Sequence, residues 1–399
     1  MDSSLKSTSR PTHPTLTLLA LAVSAFGIGS TEFISVGLIP MLVKTFGISL
    51  STAGLTVTVY AAGIAIGAPL LTLLTGQINR KTLLMATMLL FILGNLISAV
   101  APAFWVLLLG RILAALAHGI FMTISSLIAA NVVPKNKRAS AIAIMFTGLT
   151  IATVTGVPLG TFIGELTSWH FSFLFIVGIG VIGLIADFIL VPKNLPTPGR
   201  SEIRGIWRIL GQPQLLLALL ITVFGYGATF PIYTYLSPIL MRNMGWQPRS
   251  IILILVLYGM MVAIGNSVGG RLANQSPLTS LLRMFTGLGL ATLSFFLLMN
   301  THYLGLMAVL FLGLMAFMSV PGLQLFIVQL AEKFTPKDVT MASALNISAF
   351  NVGIAMGSTL GGKLTQIGGL SLTPFGSLML VITGIGLTLW LQKLIRATH

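Results

Sequence analysis

The chain contains a succession of apolar runs, each long enough to cross a lipid bilayer. The hydrocarbon core of a bilayer is about 30 Å thick, and about 20 apolar residues in a helix span it. Twelve such runs can be placed, at 16–43, 52–76, 82–101, 103–132, 138–164, 170–191, 214–241, 249–274, 278–299, 303–331, 338–364 and 371–394. Because backbone polar groups in lipid must be satisfied within the protein, the runs predict an all-α membrane protein with twelve transmembrane helices.

The composition excludes a water-soluble alternative. Of the 399 residues, 55% are hydrophobic and 7% are charged, whereas soluble domains carry about 25% charged residues. The formal net charge is +15, but the basic residues are scattered among short loops. Nucleic-acid binding needs them clustered on one exposed face, so no nucleic-acid partner is expected. The chain has no cysteine, which excludes disulfides and thiolate metal sites, and we expect no metal or other cofactor.

The positions of Lys and Arg predict the orientation in the membrane. With the N-terminus in the cytoplasm, seventeen of these residues lie on the cytoplasmic side, Arg111 lies inside a helix, and four lie on the opposite side: Lys44, Arg242, Arg249 and Lys363. Membrane proteins keep positive residues in their cytoplasmic loops. Both termini are therefore expected in the cytoplasm, and the excess positive charge is interpreted as a topology signal.

The second half of the chain repeats the first. The segment LIPMLVKTFGI, from residue 38, aligns with LSPILMRNMGW, from residue 236, and the same offset of 198 pairs Tyr60 with Tyr258. A row of glycines at four-residue spacing also recurs, at an offset of 197: Gly156, Gly160 and Gly164 match Gly353, Gly357 and Gly361. Proline, glycine, tyrosine and a basic residue in one register indicate a parallel repeat of two pseudo-symmetric six-helix halves.

A polar stretch rich in Pro, Gly and Arg separates the two repeats. We therefore predict an N-terminal six-helix half at 1–191, a cytoplasmic linker at 192–213 and a C-terminal six-helix half at 214–399. Two such halves facing each other enclose a cavity near the membrane midplane, and rocking one against the other exposes that cavity to each side in turn.

Four stretches carry a resemblance to a known family: STEFISVGLIP in the first helix, GRILAALAHGIF in the fourth, GLTIATVTGVPLGTFIGE in the fifth and AFNVGIAMGSTLGG in the eleventh. They resemble the major facilitator superfamily and, within it, the drug:proton antiporter family and its bacterial sugar-efflux (arabinose-efflux-like) group. The superfamily's loop motif is retained only in part. Arg80 and Lys81 are present, but Gly76, and Asn274 in the second half, stand where Asp is usual.

The resemblance implies the major facilitator fold and a proton-coupled secondary transporter that exports a small molecule by alternating access. The substrate class stays open among sugars, drugs and related metabolites. The implied setting is the bacterial inner membrane, as a monomer whose partners are the substrate, protons and the lipid bilayer. A passive facilitator is the alternative, and a multi-pass enzyme is a weaker one. The chain has no HExxH, no GxxxxGK[ST] and no acidic cluster among its seven acids, so no enzymatic activity is expected.

Three residues that carry a charge or a titratable imidazole lie deep within predicted helices, away from the helix ends. Arg111 and His118 are seven residues, or two helical turns, apart in the fourth helix and so share one face. Glu32 is the carboxylate placed deepest in a helix, whereas Asp187, Glu165 and Glu332 lie near helix ends. Ionisable groups inside a membrane usually face the protein interior and pair. We expect Glu32 to carry the coupling proton beside Arg111, with His118 relaying protons or contacting substrate. The alternative is a structural Glu–Arg pair.

Two further sets of residues are candidates for function. The six repeated glycines let helix backbones approach closely, and Pro158 bends the fifth helix. The resemblance implies that this bent contact governs opening toward one side, and plain helix packing is the alternative. Polar and aromatic residues in helices expected to line the cavity are substrate-binding candidates: Tyr60, Tyr233, Tyr258, Gln324, Asn346 and Asn351. Their alternative roles are hydrogen bonding between helices for the amides and an interfacial position for the tyrosines.

Overall fold

A computed structural model describes residues 14–75, 78–134, 138–193, 195 and 203–397. All regular secondary structure in these residues is helical. The first half comprises six helices, one for each predicted span: α1 (Pro14–Phe46), α2 (Leu50–Thr75), α3 (Arg80–Ala99), α4 (Phe104–Asn131), α5 (Arg138–Leu166) and α6 (Trp169–Leu190). Residues 194 and 196–202 of the predicted linker lie outside the described part. The linker also holds a short helix that the sequence interpretation missed, α7 (Ile203–Leu210).

The second half also contains six spans, but two of them are broken. The seventh span consists of α8 (Pro213–Ile221), a π-helical turn, α9 (Phe230–Tyr233) and α10 (Leu236–Arg242). Two unbroken helices follow, α11 (Pro248–Gln275) and α12 (Pro277–Leu298). The tenth span is divided into α13 (His302–Ala316) and α14 (Val320–Phe334), and the last two spans are α15 (Val339–Gly368) and α16 (Thr373–Ala397). The prediction of twelve spans in an all-α membrane fold is confirmed.

The spans differ in how apolar they are. Within the described residues, ten segments are long and apolar enough to cross a membrane, and the two bent parts of α5 make an eleventh. The remaining span, α15, has 30 residues but is interrupted by Asn346, Asn351 and Lys363. Asn346 and Asn351 are buried because this part of α15 packs inside the protein, against the seventh span, α14 and α2. Lys363 is exposed and lies five residues before the end of α15.

Each half has its own hydrophobic core. One core is built from α1 to α6 alone. The other fills the second half and also takes in residues of α1, α2 and α5, among them Phe33, Val36, Ile39, Val57 and Val157. These residues lie toward the side on which α1 ends and α2 begins, so the two halves are joined on that side.

Polar contacts seal the same side. The hydroxyl of Thr359 on α15 donates to the hydroxyl of Thr58 on α2 over 3.3 Å. A Cβ atom added at Gly54 of α2 would lie 2.8 Å from Cζ of Tyr235, so the start of α2 packs directly on the second half. The structure is thus closed between the halves at the α1–α2 side.

The two glycine rows perform equivalent packing. Gly156 and Gly164 of α5 face α1, where an added Cβ would lie 2.9 Å from Cα of Ser30 and 2.9 Å from Cδ2 of Leu38, respectively; Gly160 of the same row faces Ile34. In the second half, Gly353, Gly357 and Gly361 of α15 face the broken seventh span. The repeat predicted from the glycines is therefore present in three dimensions.

The bend expected at Pro158 is present in α5. Its two parts, Ile144–Ala152 and Val154–Leu166, meet at 41°. The break lies four to five residues before Pro158, where a proline ring clashes with the carbonyl of residue i−4 and removes that hydrogen bond. The three glycines of α5 follow the bend, and all of them face α1.

The remnant of the loop motif is anchored to α6. Asn79 caps α3 by accepting hydrogen bonds from the backbone N–H groups of Lys81 and Thr82. The Lys81 ammonium donates to the carbonyl of Phe188 over 2.6 Å. Gly76, which stands where Asp is usual in this motif, lies outside the described residues, as does the side chain of Asn274. The lysine therefore holds the end of α6 through backbone carbonyls.

Candidate functional site

Arg111 lies fully buried at the centre of the first half. Its guanidinium donates to three backbone carbonyls: Nη1 to Thr31 over 2.6 Å, Nη2 to Glu32 over 3.1 Å, and Nε to Thr56 over 3.1 Å. The same group lies 4.0 Å from the centre of the Tyr60 ring, a cation–π contact. α4 is thereby tied to α1 and α2 by a charge that is held without a carboxylate.

Tyr60 joins Arg111 to His118. Its ring face contacts the guanidinium of Arg111, and its hydroxyl lies 3.1 Å from Nδ1 of His118. Tyr60 is 1% exposed and belongs to this buried cluster, while its predicted contact with substrate stays a prediction. The predicted neighbours Arg111 and His118 are therefore brought together through a residue that had been assigned to substrate binding.

Glu32 lies beside this cluster, on the α1 turn whose carbonyls bind Arg111. Its side chain is partly exposed. Within the described residues its carboxylate makes no ion pair and no hydrogen bond, and Arg111 contacts the Glu32 backbone instead. The expected proximity of Glu32 and Arg111 is present, but the side-chain ion pair of the structural alternative is not formed.

An aromatic cluster of the second half lies next to Glu32. Phe33, the following residue on α1, reaches across to it, with ring centroids 5.8 Å from Tyr233, 6.0 Å from Phe317 and 6.3 Å from Phe230. Tyr233, a predicted substrate residue, stacks on Tyr258 at 5.4 Å, and the Tyr258 hydroxyl is buried without a partner in the described residues. The cluster fills the space between the halves at the depth of Glu32.

The amide candidates form a hydrogen-bonded chain. Gln324 donates to Ser343 over 2.6 Å and accepts from Asn346 over 2.8 Å, and Asn346 in turn accepts from Thr222 over 2.7 Å. This chain connects α14, α15 and the π-helical turn of the seventh span. Gln324 and Asn346 are thus brought together as one polar patch in the second half.

Asn351 lies one to two turns from that chain and is not part of it. Its Nδ2 donates to the carbonyl of Ile347 on the same helix. Its Oδ1 is buried with no partner among the described residues. Asn351 therefore has a spare acceptor, whereas the oxygens of Gln324 and Asn346 both accept hydrogen bonds.

A second buried carboxylate corrects the sequence interpretation. Asp187 was placed near a helix end, where a solvated position was expected, but it is 0% exposed. Ser24 donates to its Oδ2 over 2.7 Å, while Oδ1 has no partner in the described residues. The site lies between α6 and α1, away from the second half. Asp187 does lie near the end of α6, at Leu190, but its side chain is buried against Ser24 of α1.

The site combines a buried cation, a nearby carboxylate without a side-chain partner in the described residues, and a patch of amide and aromatic groups. No group of three metal-ligating side chains occurs in the described residues. The aromatic cluster also includes Tyr226, whose ring centroid lies 5.2 Å from Phe230, 5.5 Å from Phe317 and 4.9 Å from Phe350. Several members of the site were missed from the sequence: the aromatic residues Phe33, Tyr226, Phe230, Phe317 and Phe350. Phe33 could have been found from its position next to Glu32. The three other phenylalanines could not, because the chain has 23 phenylalanines and nothing in their spacing singles these out. Tyr226 is one of only six tyrosines, so its rarity was the available signal.

Comparison with known sequences places these features in a family. The profile described as Major Facilitator Superfamily matches residues 21–334. An uncharacterised MFS-type transporter of Bacillus subtilis, YtbD, is 49% identical over 94% of both chains. The inner membrane transport protein YdhP of Escherichia coli is 39% identical over 93% of this chain and 94% of its own. A probable sugar efflux transporter of Helicobacter pylori is 29% identical over 86% and 87%.

Solved structures share the architecture. A D-xylose–proton symporter superposes with a TM-score of 0.77 over 94% of this chain and 96% of its own, at 14% sequence identity. At that identity the likeness shows the fold alone.

Proposed function

The chain belongs to the major facilitator superfamily, and we propose that it is a proton-coupled secondary transporter that exports a small molecule from the cytoplasm. As a member of this family it is a multi-pass membrane transporter and not an enzyme. The proposed setting is the bacterial inner membrane, with both termini cytoplasmic and a single chain as the working unit. The relatives' names and the excess of Lys and Arg on the terminal side support this placement.

The observation that carries the proposal is the separation of Arg111 from the Glu32 carboxylate. Three carbonyls hold the guanidinium in place, so its position does not depend on whether Glu32 is ionised. Glu32 itself lies partly exposed between the halves, with no partner among the described residues. Burial disfavours an ionised carboxylate and a nearby cation favours it. Movement of one half against the other changes the balance, and the proton binds or leaves accordingly.

The proposed cycle couples that proton to the direction of transport. With the predicted orientation, the closed α1–α2 side faces outward, so the structure corresponds to an inward-facing state. In this state Glu32 releases its proton to the cytoplasm and substrate binds. In the outward-facing state Glu32 takes up a proton and substrate leaves. His118, linked to Arg111 through Tyr60, is the proposed relay or substrate contact.

The proposed substrate site lies in the second half, opposite Glu32. Its polar part is the chain of Gln324 and Asn346, with Asn351 nearby, and its apolar part is the aromatic cluster that includes Tyr233. A mainly apolar pocket with a few placed polar groups is the usual design for small ligands. Sugars, drugs and related metabolites all suit it, and the name of the Helicobacter relative favours sugars.

Replacement of Glu32 by Gln tests the proposal. The purified variant is reconstituted into liposomes with an imposed pH gradient, and transport is screened across sugars, nucleosides and drugs. We expect Glu32→Gln to abolish uphill export while retaining exchange of substrate for substrate, because exchange needs no net proton movement. Glu332→Gln, which changes an exposed carboxylate on α14, is the matched control and should pump normally.

Two outcomes would count against the proposal. If Glu32→Gln still pumps uphill with a normal pH dependence, Glu32 is not the proton carrier and His118 is tested next. If a proton ionophore leaves transport by the unaltered protein unchanged, the protein is a passive facilitator.

A further inference from the structure

A cleft runs along the line where the two halves meet, between α2 and α15. Its volume is about 530 Å³. The lining is almost entirely apolar, and alanines on both helices contribute to it. The lining residues are Ala62, Ala65, Ile66, Val352, Ala355, Met356, Thr359, Leu360 and Lys363. Small side chains on the facing helices leave the space open, and the Thr58–Thr359 hydrogen bond crosses between the helices beside it.

The mouth of the cleft is lined by exposed apolar side chains. Ile66 is 65% exposed and Val352 is 44% exposed, as is usual for apolar side chains that face acyl chains. The opposite face of α15 carries Gly353, Gly357 and Gly361, which pack on the seventh span. The cleft is therefore separate from the site around Glu32 and from the amide chain of Gln324 and Asn346.

The length and charge of the cleft are those of one lipid in one leaflet. Lys363 and Val352 are eleven residues apart on α15, which corresponds to about 16 Å along the helix axis. Half of a bilayer's hydrocarbon core is about 15 Å thick. Lys363 is the cation at the end nearer the membrane surface, and within the described residues its ammonium has no hydrogen bond or ion pair. A lysine in this position directs its charge to the headgroup region.

We propose that this cleft is a binding site for a glycerophospholipid of the bilayer, with one acyl chain in the cleft and the phosphate on Lys363. The bound chain contacts both halves at once, α2 on one side and α15 on the other. The site is independent of the proposed proton coupling, because none of its residues belongs to the Glu32–Arg111–His118 cluster.

Native mass spectrometry of the full-length chain in detergent tests the site, with dioleoylphosphatidylglycerol as the added lipid. We expect one lipid to be retained by the unaltered protein. Lys363→Gln should weaken its apparent affinity about tenfold, the effect of losing one charge-assisted hydrogen bond. Ala62→Leu, which fills the cleft, should abolish retention. Lys44→Gln removes another cation from the same side of the membrane without touching the cleft, and should behave as the unaltered protein.

Further additions distinguish the sources of the signal. Dioleoylglycerol, which lacks the phosphate, should be retained no better by the unaltered protein than by Lys363→Gln, and inorganic phosphate alone should not compete with the lipid. Equal lipid retention by Lys363→Gln and Lys44→Gln would overturn the proposal. Strong competition by inorganic phosphate would also overturn it, since the site would then bind a free anion. If Ala62→Leu fails to fold, the comparison of the two lysine variants decides alone.

Discussion

The two halves of this transporter share one architecture but differ at the centre. In the first half, α1 and α4 run unbroken, and a buried arginine on α4 binds carbonyls of α1 and α2. In the second half, the corresponding seventh and tenth spans are broken, and the positions equivalent to Glu32, Arg111 and His118 are Phe230, Val309 and Ala316. At the centre of the first half lie charged and titratable side chains, whereas aromatic and amide side chains lie at the centre of the second.

The two halves therefore share their helix packing but not the side chains at their centres. Both halves use a glycine row to bring a fifth or eleventh span against a first or seventh span. The breaks in the second half follow from its own sequence: Gly225 and Gly227 lie in and after the π-helical turn, and Pro231 and Pro321 begin the next helical segments. Glycine, proline and π-bulges are the usual causes of such breaks. We interpret the first half as the proton-handling half and the second as the substrate-handling half.

The largest effect is expected from removing the charge of the first half. Arg111→Met deletes three hydrogen bonds from a charged donor, each contributing about 1.5–3 kcal/mol, so transport in proteoliposomes should fall by about 100-fold or more. Arg111→Lys keeps a charge but not the three-directional geometry and should also fail. Val309→Ala, at the equivalent position in the second half, should keep most of the activity. Normal transport by Arg111→Met would show that the buried charge of the first half is not needed for transport.

The glycine rows should respond unequally to added methyl groups. A Cβ at Gly353 would lie 2.6 Å from the carbonyl oxygen of Val223, a backbone atom, whereas one at Gly160 meets the side chain of Ile34. Gly353→Ala should destabilise the protein by about 1–3 kcal/mol, the usual range for overpacking, and Gly160→Ala by clearly less. Thermal unfolding in detergent measures both. If both variants lost the same stability, the backbone of the seventh span would adjust to an added methyl group as easily as the side chain of Ile34 does.

The amide chain of the second half should affect substrate affinity and not proton coupling. Asn346→Ala removes the group that links Gln324 to Thr222, and we expect KM to rise about tenfold, as for one lost polar contact. The pH dependence of transport should stay unchanged, in contrast to Glu32→Gln. Asn351→Ala, whose amide donates only within its own helix among the described residues, serves as the comparison and should raise KM less. A shifted pH profile in Asn346→Ala would place proton handling in both halves.

The smallest effect is expected outside the membrane-spanning segments. Arg208 on α7 donates to both carboxylate oxygens of Asp338, over 2.8 and 2.7 Å, and these hydrogen bonds hold the pKa of Asp338 below its ordinary value. The resulting stabilisation is present above the ordinary aspartate pKa of about 3.9 and is lost as the pH falls through the lowered value. Asp338→Asn should therefore cost no more than about 1 kcal/mol, as for partly exposed ion pairs.

The pH profile gives the sharper check of that ion pair. Transport by Asp338→Asn between pH 5 and 8 should match that of the unaltered protein, because Asp338 stays ionised throughout this range. A changed profile would show that the linker helix α7 and the loop before α15 take part in proton coupling.

Much of the fold could be predicted because the membrane restricts the choices. The length of the apolar runs predicted the spans, and the spacing of the glycines predicted that α5 and α15 each pack closely on another helix. The candidate site was predicted in part. Glu32, Arg111 and His118 were singled out because charge in an apolar helix is costly. Tyr60 was assigned to substrate although it bridges Arg111 and His118, and Asp187 was set aside although it is buried. The predicted domain limits and site roles remain predictions.

The sequence by itself determined the number of spans, the repeat and the identity of the unusual charges, because each depends on composition or spacing along one chain. Only the tertiary structure decided which partners those charges have. Arg111 binds carbonyls, and carbonyls are present at every residue, so nothing in the sequence marks Thr31 or Thr56 as acceptors. The cleft beside Lys363 likewise exists only where α2 and α15, some 300 residues apart in the chain, are packed together.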